Sequence, residues 1–171
     1  MSPIRLVGRL PYCDLYLAVV RDFRDWPQKI ERPRPCFRLL TALDTDGASA
    51  EDLAEFASKL LDQGCGSADS WGTDASRMED AFDWEWVERD ERGELPCGLV
   101  VTTSAAPADE SLDEALWHTL HVSWTEDEKT PDVLVVTSPQ WAEAIETRLS
   151  DPERLSRDVE GRTWTDSLSG R

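Results

Sequence analysis

The sequence predicts an α/β domain: a three-layer, mainly parallel sheet of about five strands with helices on both faces, Rossmann-like or flavodoxin-like. Three observations predict it. Strand-length apolar runs alternate four times with amphipathic helical segments from residue 36 onward. The connections are short, and most of the runs are apolar on both faces, as strands covered by helices on two sides must be.

One earlier strand, LYLAVV (Leu15 to Val20), precedes an Arg- and Pro-rich arm containing Pro27, Pro33 and Pro35. CFRLLTALD (Cys36 to Asp44) is the first strand of the regular series. Ser49 caps the helix after it, with Asp52 in the first turn. Leu53, Phe56, Ala57, Leu60 and Leu61 form its apolar stripe, and Gly64 ends it. CGSADSW (Cys65 to Trp71) is a strand of small residues, chosen for close packing more than for strand propensity. Thr73 or Asp74 caps a second helix with Ala75, Met78, Phe82 and Trp86 on its inner face, followed by a polar turn at 89–96. CGLVVTTS (Cys97 to Ser104) is a buried strand. Ser111 and Glu114 form a capping box for a third helix with Leu112, Ala115, Leu116 and Leu120 inward. After an acidic loop at 124–131 comes DVLVVTS (Asp132 to Ser138). Ser138-Pro139 then starts a fourth helix, with Trp141, Ala144, Ile145 and Leu149 facing in.

At 171 residues the chain suits one domain. We divide it into an N-terminal strand and arm (1–35), an α/β core (36–155) and a loose polar tail (156–171). No run reaches the ~20 apolar residues of a membrane span, and the N-terminus lacks a secretory apolar stretch, so a cytoplasmic protein is expected. The four cysteines have no C-x-x-C spacing and are expected to be free thiols.

Charge is unevenly distributed. Residues 1–38 carry eight Lys/Arg against four Asp/Glu, and residues 39–171 carry ten against thirty-one, for a net charge of −17. Such a surface repels phosphate backbones and attracts basic partners. The plainer reading is acidity that serves solubility alone.

In this fold ligands gather outside the carboxyl ends of the strands. Candidate ligand- or partner-binding residues there are Asp44, Asp46, Trp71, Gly72, Asp74 and Arg77. LDTDG (Leu43 to Gly47) resembles the first motif of haloacid-dehalogenase-type phosphatases, which implies Asp44 as nucleophile, Asp46 as acid/base and bound magnesium. Ala48 and a helix follow directly, however, and no acidic pair follows DVLVVTS, so a turn is the plainer reading. Arg77, one turn into its helix, could clamp an anion beside the backbone N–H groups after Thr73, or simply pair with Asp74 or Asp80. Glu114, His118 and His121 share a helix face, more simply a solvated face than a metal site. Cys65 reads as a structural thiol. No phosphate-binding glycine loop or nucleophile elbow occurs.

The segments WGTDASRMEDAFD (Trp71 to Asp83) and TTSAAPADESLDEALW (Thr102 to Trp117) resemble a small bacterial family known only as a domain of unknown function. Its members carry W-G-P-x-C-x-R-x-H-D-x-x-D and T-T-W-H-x-x-E-S-L-D-E-A-L-W. The match carries over to Trp71, Gly72, Arg77, Asp80 and Asp83. The family's Trp-His is Ser104-Ala105 here, its cysteine is Ala75 and its later histidine is Glu79. Chemistry resting on those groups is therefore lost in this chain. The resemblance implies no particular activity.

Together these features favour a soluble acidic protein-interaction module with a basic protein partner, such as an immunity, inhibitor or accessory protein in a bacterial defence or toxin system. Neither direct nucleic-acid binding nor a membrane, cofactor or metal is expected. The alternative is a small Mg-dependent phosphohydrolase or nucleotide-binding enzyme using the strand ends. A third reading is a homo-oligomer packed through Trp84 and Trp117.

Overall fold

A computed structural model describes residues 4–95, 97, 101–122 and 131–169. Its elements are β1 (Arg5–Leu10), β2 (Cys13–Val19), a 3-10 turn (Phe23–Asp25), β3 (Phe37–Ala42), α1 (Ala50–Asp62), β4 (Cys65–Trp71), α2 (Ala75–Arg92), β5 (Val101–Ala105), α3 (Leu112–His121), β6 (Val133–Thr137), α4 (Pro139–Leu149) and α5 (Pro152–Ser169). The six-stranded sheet has the order β1-β2-β6-β3-β4-β5. β1 pairs antiparallel with β2, and every other pairing is parallel. This is the expected three-layer α/β fold with one strand more than anticipated.

Two apolar clusters cover the two faces. On one, Leu53, Phe56, Leu60 and Leu61 of α1 and Met78 and Phe82 of α2 pack on Leu39, Ala68 and Val136. Phe56 also meets the edges of Phe23 and Trp26 at 5.4 and 5.9 Å, so the 3-10 turn belongs to this core. On the other, Leu116 and Leu120 of α3, Ile145 and Leu149 of α4 and Leu155 of α5 pack on Leu15, Leu40 and Val135. Each such side chain contributes about 1.5–3 kcal/mol on burial, so the periodic stripes read from the sequence carry much of the stability.

The expected start signals stand at their helix ends, two of them without a side-chain cap. Ser49–Asp52 and Ser111–Glu114 form complete capping boxes. Ser138 stands at the N-cap of α4 but makes no side-chain cap; its Oγ instead accepts the Asp44 N–H at 2.8 Å, tying the end of β6 to that of β3. Asp74 is the N-cap of α2, also without a side-chain cap.

Four expectations are corrected. The polar turn placed at 89–96 starts late, because α2 runs on through Arg92 and stops at Gly93 in the left-handed region. Arg89 holds this extra turn onto α1 through Asp62 and Ser58. The tail expected to be loose from 156 belongs to α5, whose Leu155 and Val159 are buried. β1 went unseen because its RLVGRL is half polar. It forms because Gly8 lets its backbone reach α4: a Cβ there would lie 1.8 Å from the Leu149 carbonyl oxygen. Finally, Cys36 and Cys97 are disulfide-bonded, with Cα atoms 5.4 Å apart, and only Cys13 and Cys65 are free and buried. A 61-residue separation hid a pair that β3 and the approach to β5 bring together. The acidic loop expected at 124–131 lies outside the described residues apart from Pro131, as does the stretch 98–100 of the expected strand before β5.

Candidate functional site at the carboxyl edge of the sheet

From β3 the chain moves outward to β4 and β5, then returns to place β6 on the other side of β3. The carboxyl ends of β3 and β6 therefore flank the topological switch point, where this fold opens a crevice. A hollow of about 430 Å³ lies there, and Asp44, Asp46, Asp74 and Trp141 are among its walls. The acids at this hollow serve their own turns. Asp44 Oδ1 accepts the Asp46 N–H at 3.1 Å, and Asp74 Oδ2 faces the Thr45 hydroxyl at 3.4 Å. Among the described residues no three His, Cys, Asp or Glu side chains converge as metal ligands would.

The corner singled out in the sequence is divided between hollows. Trp71 is buried, donates Nε1–H to the Glu110 carbonyl at 2.9 Å and meets Trp141 edge-on at 5.6 Å. Gly72 turns the chain with φ +138, a value that disfavours a side chain, while its N–H reaches the Ala105 carbonyl at 3.2 Å. Trp71 and Gly72 thus shape the edge and tie it to β5. Arg77 is not among the walls of the hollow at this edge. Its guanidinium donates to the Ala48 carbonyl at 2.6 Å and lies 3.9 Å from Asp74, so it braces α2 against the start of α1.

A larger cavity, about 750 Å³, lies over the ends of β4 and β5 beneath α3. Gly72, Thr73, Ser104, Glu110, Trp117 and His118 are among its walls. Asp69 of β4 stands behind it, only 3% exposed. The Thr103 and Thr119 hydroxyls donate to its two carboxylate oxygens at 2.6 and 2.7 Å, and His118 Nδ1 faces Oδ1 at 3.8 Å. The Asp69 carboxylate raises the His118 pKa above the ordinary histidine value against the opposing effect of burial, with a smaller upward push from Glu110. Burial pushes the Glu110 carboxyl up as well.

Sequence reasoning named His118 for a shared helix face and missed Asp69. The three polar residues of that face have separate tasks: Glu114 completes the α3 cap, His121 Nε2 lies 2.9 Å from Ser156 Oγ, and His118 meets Asp69. A usable signal was present, since an aspartate in the middle of a fully buried strand must be held by partners. Two positions that depart from the resembled family also meet here, as the Ser104 hydroxyl donates to Glu79.

A third hollow, about 440 Å³, lies on the outer side between α1 and α2. Arg77, Asp80, Trp84, Glu85 and Glu88 line it with the small residues of α1. Trp84 is 70% exposed, and Val87, one turn on, is 40% exposed. Trp117, expected at an interface alongside Trp84, is instead partly buried against the α3–α4 core and stacks obliquely on His121 at 5.5 Å.

No helix among the described residues is long and apolar enough to cross a membrane. No curated protein matches the chain in sequence. The span that matches a protein family runs over residues 16–152, from β2 to the start of α5, and takes in the walls of the three hollows except Val159. The chain belongs to that family, Domain of unknown function (DUF7684).

Proposed function

We infer that this chain is an acidic protein-interaction module that docks a basic protein on the groove between α1 and α2, as an immunity, inhibitor or accessory protein of a bacterial defence or toxin system would. The observation that carries this reading is Trp84, a large aromatic left 70% exposed and set among Asp80, Glu85 and Glu88. An exposed tryptophan is a typical anchor of a protein interface. The acids around it choose a partner with Lys or Arg beside an apolar contact. Helix α2 carries seven acids against three arginines, and the chain as a whole carries −17. A second copy of the same charge would be repelled, which favours a basic partner over self-association. The same field disfavours direct contact with nucleic acid.

A cytoplasmic location goes with this reading only where Cys36–Cys97 is reduced, because a reducing cytosol rarely keeps disulfides. A photo-crosslinking residue at position 84, with a control at exposed position 158, tests the docking face. The expected result is an adduct with a basic protein at position 84 alone, lost as salt rises. Adducts with a second copy, with acidic proteins, or with equal yield at 158 would overturn it.

A further inference from the structure

The cavity over β4 and β5 combines three features that the docking reading does not use. A buried carboxylate, Asp69, is fixed by two threonine hydroxyls from different elements, Thr103 of β5 and Thr119 of α3. That carboxylate faces Nδ1 of an imidazole, His118, whose side chain is 32% exposed and forms part of the cavity wall. The space before it, about 750 Å³, is large enough for a small organic molecule. A carboxylate 3.8 Å from one ring nitrogen stabilises the imidazolium that forms when the ring takes a proton, as the acidic partner of a general base does. Here Asp69 is the positioning residue and His118 the base.

The walls also select charge. Among the described residues no Lys or Arg lines the cavity, whereas Asp109, Glu110 and Glu114 do, beside Trp117. Phosphates and nucleotides are disfavoured there. An ammonium group is favoured by the carboxylates and by an aromatic face.

We propose that this cavity is a hydrolytic site for a small ester bearing a cationic group, with His118 as the general base. In that step a water molecule gives a proton to His118 as its oxygen bonds to the ester carbonyl carbon. The carbonyl oxygen takes the displaced electron pair and returns it as the bond from the acyl carbon to the alcohol oxygen breaks, and the proton passes from His118 to the departing alkoxide. The products are a carboxylic acid and an alcohol, and the base is regenerated without any other reactant.

Acetylcholine followed by acid release is the probe, with 3,3-dimethylbutyl acetate, of the same shape and leaving-group type, as the uncharged comparison. The full chain should hydrolyse acetylcholine above the protein-free rate. His118→Gln should lose ~100-fold or more, while His121→Gln, whose ring lies against Ser156, keeps the rate. Asp69→Asn should slow turnover by ~10-fold or more and move the acidic limb of the rate profile, where the base becomes protonated, to lower pH, a shift that a merely structural aspartate would not produce. The charged groups acting on the ring in that profile are Asp69 from β4 and Glu110 from the segment before α3, while Glu114 of α3 lines the same cavity. If Asp69→Asn does not fold, His118→Gln decides alone, because its ring is partly exposed. Equal acetylcholine rates for the chain and for His118→Gln overturn the proposal. So does a preference for the uncharged ester.

Discussion

Arg38 and Asp69 are charges buried on adjacent strands, both reach helix α3, and they are held in opposite ways. Arg38 is 1% exposed. Its guanidinium donates to the carbonyls of Thr119 and Leu120 at 2.9 and 2.6 Å, to Pro131 at 3.0 and 3.3 Å, and to Cys13 Sγ at 3.4 Å. The first two carbonyls end α3, where a positive charge also meets the negative end of the helix dipole. Three backbone carbonyls and one thiol close this shell, and burial lowers the Arg38 pKa. Asp69 is held by side chains, and one of them, His118, opens onto a cavity. A charge enclosed by carbonyls fixes architecture. A charge whose shell ends in a partly exposed imidazole is able to act on something outside the fold.

The strongest way to break this contrast is Arg38→Met. It leaves three carbonyls and the helix end without their donor, and we expect a loss of about 3–5 kcal/mol, read as a lower urea midpoint at unchanged slope. The titration of His118, followed by NMR, should stay close to that of the parent. Asp69→Asn should act the other way round. The stability loss is smaller, about 1–3 kcal/mol, but the His118 titration moves to lower pH because its carboxylate partner is gone. If both variants moved the titration equally, the two charges would form one network and the contrast would fail.

The smallest effect is in the pH dependence of stability, where the two histidines of α3 should differ in sign. Asp69 raises the folded pKa of His118, so its contribution is fully present below the unfolded value of about 6.5 and is lost as pH rises through the folded value. Burial, with Arg38 nearby, lowers the folded pKa of His121, so that ring favours the folded state at higher pH and opposes it as pH falls. Melting temperatures measured against pH should show the parent's advantage over His118→Gln shrinking above neutrality. The advantage over His121→Gln should shrink on acidification.

The same contrast marks what could be read from residue order. The stripe Leu53 to Leu61, the capping boxes at Ser49 and Ser111 and the runs LLTAL and VLVV are local signals, and each gave its element at its place. The candidate site depends on contacts that cross the sheet. Asp69 meets Thr119 from fifty positions away and Thr103 from thirty-four, and no period or spacing encodes such a meeting. Arg77 sits between the two cases. Its pairing with Asp74, three positions away, was one of the two readings its place on the helix offered. Its bond to the Ala48 carbonyl, twenty-nine positions away, had no such local signal.

The bridge between Cys36 and Cys97 divides the oxidised chain into a closed ring with two free arms. The ring contains β3, α1, β4 and α2, and so the apolar stripes of α1 and α2. One arm carries the β1–β2 hairpin, and the other carries β5 to α5. Closing a ring of this size removes about 4 kcal/mol of conformational freedom from the unfolded chain, without adding an apolar or polar contact to the folded one. One folded structure therefore has two stabilities, set by the redox state of its surroundings. Asp69 and the Trp84 groove lie within the ring, whereas His118 lies on the second arm. Reduction would leave each of those sites chemically intact while loosening the constraint on about a third of the chain that holds them.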